Sequence, residues 1–124
     1  MADSEIAVET IAHVFKAGHL SPDRDVWWDS RESLARLIDI AAELGARSIY
    51  MLTGGHGGLS WEASADCFCA ALAPCVDQAK AAGIELAIEN ASALYAELHI
   101  AHSLADTITL TEIADVSVCI ELFF

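Results

Sequence analysis

The chain has 124 residues, 55% of them hydrophobic, 20% charged and 7% aromatic, and its 6 Lys and Arg face 19 Asp and Glu for a formal net charge of −13. That length suits a single domain over residues 1–124, and the apolar content excludes a disordered chain despite the charge. So strong a negative charge repels phosphate backbones, which argues against a nucleic-acid partner. The acidic start Met1-Ala2-Asp3-Ser4-Glu5 does not resemble a secretory leader. Apolar runs fall well short of the ~20 residues that a membrane span needs. A soluble, cytoplasmic chain with no membrane partner is the expectation.

In chain order, the stretch Ile6–Phe15 fits helix or strand, and Val8, Thr10 and Ile11 before a polar loop favour a strand. Lys16–Trp28 reads as a long loop, holding Pro22 and the pair Trp27-Trp28, which is expected to pack that loop onto the core. Asp29 with Glu32 three residues on forms a capping-box pattern; Leu34, Leu37, Ile38, Ala41 and Leu44 then follow at helical spacing to Gly45. Arg47–Leu52 is a short apolar strand. A second helix is predicted from near Ser60 to Gly83, kinked or divided at Pro74. Ile84–Ile88 is the third strand. Ser103–Ala114 is predicted as a helix, although Thr107, Thr109 and Thr111 alternating with Ile108 and Leu110 also fit a strand. Val116–Phe123 closes the pattern as a fourth strand. The order β-α-β-α-β-α-β requires a parallel α/β architecture, whose sites are built at the C-terminal ends of the strands.

The cysteines Cys67, Cys69, Cys75 and Cys119 include no C-x-x-C pair, and they read as reduced packing residues. At the strand ends, Glu89-Asn90 presents a carboxylate straight after an apolar run, and Glu121 repeats that arrangement one unit later. Two carboxylates on neighbouring strands fit either a divalent-metal site or a proton relay beside a carbonyl; a turn cap and a terminal charge are the structural alternatives. Thr53-Gly54-Gly55-His56-Gly57-Gly58 is not a P-loop and not G-x-G-x-x-G. Its glycines let backbone approach a ligand closely, with His56 as a ligand or substrate contact, or else they form an ordinary turn. His13 falls near the end of the first strand, on the same edge as His56. His19 reads as a solvated loop residue. His99 and His102 are expected to serve structural or solvated roles.

The segments A-A-E-L-G-A-R-S-I-Y-M-L-T-G-G (41–55), I-E-L-A-I-E-N (84–90) and V-C-I-E-L-F-F (118–124) resemble the xylose isomerase-like (β/α)8 barrels. These include sugar phosphate isomerases and epimerases and the type IV abasic-site endonucleases. The resemblance implies that Glu89 is a metal-binding carboxylate and acid/base, and that Glu121 stands where the family usually carries an Asp ligand. It places His56, and less firmly His13, near positions of metal-binding histidines in the endonuclease branch. Phe124 stands where a His often follows the Asp. That departure, together with the net charge, ranks the isomerase and epimerase branch above the endonucleases. The expectations are then a Mn²⁺ or Mg²⁺ cofactor (Zn²⁺ as the alternative) and a small carbohydrate-like substrate bound by His13, His56 and Asn90.

A complete barrel takes about 250 residues. The sequence therefore reads as a partial (β/α)8 TIM barrel of about four parallel strands and three helices. Its metal site is expected to be incomplete and the chain inactive alone, unless a second copy or a C-terminal half completes it. Two further readings compete: a non-catalytic module that self-associates or docks to a partner, and, ranked last, a flavodoxin-like domain without a phosphate loop.

Overall fold

The computed structural model describes residues 8–91, 97 and 99–119. Seven elements follow one another: β1 (Thr10–Val14), α1 (Arg24–Leu44), β2 (Ser48–Leu52), α2 (Trp61–Ala82), β3 (Glu85–Glu89), α3 (Leu104–Ala114) and β4 (Ser117–Cys119). The strands form one parallel sheet in the order β1-β2-β3-β4, with Ile11 opposite Ile49, Ile49 opposite Leu86 and Ile88 opposite Val118. This is the α/β alternation expected, with the strands in chain order as in part of a (β/α)8 barrel.

Strand alternation divides the sheet into two faces. Ile49, Met51, Leu86 and Ile88 are buried in one core with Leu34, Ile38, Phe68, Leu72 and Leu110 of the helices. Each such side chain is worth roughly 1.5–3 kcal/mol when taken from water into the core. The opposite face bears Thr10, Ser48, Tyr50, Glu85, Ala87, Ser117 and Cys119 around a broad hollow. On it Ser48 donates to Thr10 (2.8 Å) and Ser117 donates to Glu85. In a closed barrel that face is the interior.

α1 starts six residues earlier than the sequence predicts. Asp23, not Asp29, is its cap and accepts from the Asp25 amide. The loop after β1 is correspondingly shorter, and Trp27 and Trp28 are helical. Their rings lie under cations, with the Arg24 guanidinium 4.1 Å from the Trp28 centroid and that of Arg31 4.3 Å from Trp27. Arg31, which stacks on Trp27, reaches α2 at Ala70 and Ala71, a contact out of reach of a local capping rule.

α2 runs unbroken from its Ser60 cap through Pro74 to Gly83. Proline at 74 has no N–H for the Ala70 carbonyl. Arg31 supplies the missing donor, with Nη2 3.0 Å from the Ala70 oxygen, and its Nε donates to the Ala71 carbonyl at 2.8 Å. Gln78 ties the same two helices by donating to the Ala35 carbonyl at 2.9 Å. α3 settles the Ser103–Ala114 ambiguity as a helix: Ser103 caps it and Thr107, Leu110 and Thr111 face inward. The described part of the fourth strand is Ser117–Cys119, and the predicted continuation to Phe123 lies outside the described residues.

Candidate functional site

β3 ends on Glu89, which is only 8% exposed. The hydrophobic residues before it cannot explain a carboxylate there, since an ionised group is costly to bury without compensating contacts. Glu89 lines a depression of about 180 Å³ together with Ala12, His13, Val14, Tyr50 and Leu52. His13 is half-buried, and its Nε2 is shielded from solvent without a hydrogen-bond partner; burial also pushes its pKa below the ordinary 6.5. Next in sequence, the Asn90 amide donates to the Cys119 carbonyl at 3.2 Å, while its buried Oδ1 has no partner. The C-terminal sheet edge thus carries a buried carboxylate and two polar atoms with unused hydrogen-bonding capacity.

The backbone of Glu89 is held by a residue to which the sequence assigned only structural or solvated roles. His99 is completely buried. The Thr53 amide donates to its Nδ1 at 3.0 Å, so the neutral ring carries its proton on Nε2, and Nε2 donates to the Glu89 carbonyl. Burial pushes the His99 pKa down to about 4, opposed by the bond to Glu89. The segment around the ring is stapled in turn. Thr53 Oγ1 accepts from the Ile100 amide at 3.1 Å, Trp61 Nε1 donates to the Ile100 carbonyl at 2.8 Å, and the Ala91 amide donates to the Ala101 carbonyl at 3.0 Å. A lone His ten residues past the carboxylate gives no local signal of this arrangement.

The glycine-rich loop after β2 uses its glycines to approach its own chain. The Leu20 amide donates to the Gly55 carbonyl at 2.7 Å, and the Gly55 amide to the Gly18 carbonyl at 2.8 Å. A Cβ at Gly54 would stand 2.9 Å from Lys16 Cβ, and one at Gly57 2.8 Å from His19 Nδ1. His19 also contacts Glu97 at 2.8 Å, which joins the loops that follow β1, β2 and β3. His56 is exposed on this loop and is not among the residues lining the Glu89 depression. Glu121 lies outside the described residues. Among the described residues no group of three His, Cys, Asp or Glu is placed to hold a metal ion.

A larger hollow, about 300 Å³, lies at the other end of the sheet where β3 and β4 begin. Of its charged groups, Lys80 and Asp115 are already paired with each other and Glu85 accepts from Ser117. In barrels that end serves stability, so the C-terminal edge is the stronger candidate. No described helix is long and apolar enough to cross a membrane.

Residues 2–123 match the model of the xylose isomerase-like TIM barrel family. No curated protein matches the sequence. Among solved structures, a protein from Sinorhizobium meliloti 1021 is 27% identical with a TM-score of 0.69, over 85% of this chain and 40% of its own. An L-ribulose 3-epimerase is 23% identical with a TM-score of 0.74, over 96% of this chain and 41% of its own. A barrel protein from Mycobacterium smegmatis in complex with magnesium is 19% identical with a TM-score of 0.67, over 97% of this chain and 42% of its own. The chain thus spans less than half the length of these structures.

Proposed function

The chain belongs to the xylose isomerase-like TIM barrel family, and on that premise we propose that it contributes the carboxylate of a sugar isomerase or epimerase, which moves a proton on the carbon beside a carbonyl. The burial of Glu89 at the end of β3, inside a depression walled by Tyr50 and Leu52, carries this reading. The apolar walls exclude water from one side of the carboxylate, which favours proton exchange with a carbon acid. His13, His56 and Asn90 are assigned to the substrate, and of these His13 lines the Glu89 depression. The epimerase neighbour and the net charge of −13 favour a neutral carbohydrate over nucleic acid.

A buried oxygen donor in Glu89 fits a hard or borderline divalent cation. The magnesium-bound relative agrees with such a site. Mn²⁺ or Mg²⁺, with Zn²⁺ as the alternative, would polarise the substrate carbonyl or hydroxyl when bound, held by Glu89 and Glu121. The reading also includes an incomplete metal site and an inactive chain when it stands alone.

Calorimetric titration with Mn²⁺ tests the assignment. In a form completed to a full barrel or as a dimer, the wild-type protein should bind and Glu89→Gln should abolish binding; unchanged affinity in that variant overturns the role of Glu89. In a form completed to a full barrel, ketohexoses in deuterium oxide should take up deuterium beside the carbonyl, and Glu89→Gln should stop it.

The sheet face that no described helix covers supports a second reading, self-association or docking that covers Thr10, Tyr50 and their neighbours. Light scattering decides it: a concentration-independent monomer rejects self-association.

A further inference from the structure

We infer that His99 is a positioning residue for Glu89: its imidazole clamps the peptide group that follows the carboxylate-bearing residue and so sets where that side chain enters the depression. The inference rests on the reading of Glu89 as the functional carboxylate. It concerns the backbone that carries the carboxylate, and not a ligand.

The peptide joining Glu89 to Asn90 is held from both sides. Its carbonyl accepts from His99 Nε2, and its N–H donates to the Cys119 carbonyl of β4 at 3.2 Å. The other ring nitrogen of His99 accepts from the Thr53 amide, directly after β2. One buried ring therefore links the C-terminal ends of β2 and β3, where parallel strands would otherwise diverge into their loops. Each nitrogen has a fixed role, because an amide can only donate and a carbonyl can only accept. The bonds from the Ile100 amide to Thr53 Oγ1 and from Trp61 Nε1 to the Ile100 carbonyl hold the ring's own backbone, so it cannot follow a displaced Glu89. Groups that orient a metal-binding residue typically change affinity about 10–100-fold when lost.

The two nitrogens can be separated by substitution. His99→Asn places an amide oxygen near the Nδ1 position and keeps the acceptor for Thr53, but it loses the donor to Glu89. His99→Gln reaches the Nε2 position with an amide N–H and keeps the donor to Glu89, but it loses the acceptor for Thr53. Hydrogen exchange at the Asn90 amide of this chain and Mn²⁺ affinity in the completed barrel should separate the pair. His99→Asn should weaken Mn²⁺ binding about tenfold or more and speed exchange at Asn90, while His99→Gln stays close to wild type in both. Equal exchange and equal affinity in the two variants overturn the positioning role.

Mn²⁺ binding by the completed barrel that is undiminished in Glu89→Gln overturns the functional reading of Glu89; the exchange comparison on this chain decides the clamp separately. Imidazole nitrogen NMR on the wild-type chain needs no variant. A protonated Nε2 and bare Nδ1 are expected, and the reverse tautomer overturns the clamp.

Discussion

Arg31 donates to the Ala70 carbonyl at 3.0 Å, the acceptor that Pro74 leaves without its helical amide. A proline inside a helix ordinarily costs about 3 kcal/mol through a lost bond and a ring clash. Here the lost bond is replaced from a neighbouring helix, and the same guanidinium stacks on Trp27. Arg31→Ala should therefore destabilise the chain by about 2 kcal/mol in chemical denaturation. Pro74→Ala restores the Ala70 partner, so Arg31→Ala should cost clearly less in that background. A strictly additive double-mutant cycle would show that the two residues are not coupled.

This pair also explains what the sequence could and could not reveal. Gly45, Ser60 and Gly83 mark helix ends by local conformation, and all three occupy the predicted caps. β2 and β3 follow from apolar runs directly after those glycines. Asp29 satisfies a local capping rule, but contacts of the Trp27 turn through Arg31 with α2, some forty residues on, accompany a helix that starts from Asp23 instead. The same long-range bond keeps α2 continuous. At the site, Glu89 was legible because a carboxylate after Leu86, Ala87 and Ile88 breaks the strand's own pattern. His99 was not, because its partners Thr53 and Glu89 meet it only once β2 and β3 lie side by side.

Stability should depend on the protonation of His99. Burial holds the folded imidazole at about 4 against an ordinary 6.5, and the nearby His102 acts in the same direction. Between those values the unfolded chain binds more protons than the folded one, so stability falls as the pH drops from 6.5 toward 4 and this contribution levels off below that. The loss between about pH 7 and about pH 5 should be about 2 kcal/mol from this group. His13, with its pKa also lowered by burial, adds to the same slope. Urea denaturation of wild type and His99→Gln across that range checks it, and an equally steep fall in the variant would remove His99 as the cause.

The cysteines should react slowly. Burial raises the Cys69 thiol to about 11 and pushes Cys67 and Cys75 upward, with Asp66 adding to the first two. At about pH 8 only about one Cys69 in a thousand is thiolate, the form that attacks an alkylating agent. Iodoacetamide labelling followed by mass spectrometry should find Cys69 modified far more slowly than a free thiol under native conditions and at the free-thiol rate in urea. Rapid native labelling of Cys69 would contradict its burial.

Alanine substitutions should rank the glycines of the loop after β2 by backbone and space rather than by any ligand. Gly54 has φ of 110°, and an added Cβ would meet Lys16 Cβ at 2.9 Å and the Lys16 carbonyl oxygen at 3.1 Å. Neither neighbour is the free end of a side chain, so Gly54→Ala should cost about 3 kcal/mol or more. Gly57, at φ 56°, would place its Cβ 2.8 Å from the ring of His19, whose side chain is half-exposed and able to turn away. Gly57→Ala should cost about 1 kcal/mol and break the contact of His19 with Glu97. Gly58 has nothing within 4 Å and no positive φ, so Gly58→Ala should be neutral. Thermal melts of the three variants give the order directly. Equal costs at positions 54 and 58 would mean that the loops after β1 and β2 do not pack as described.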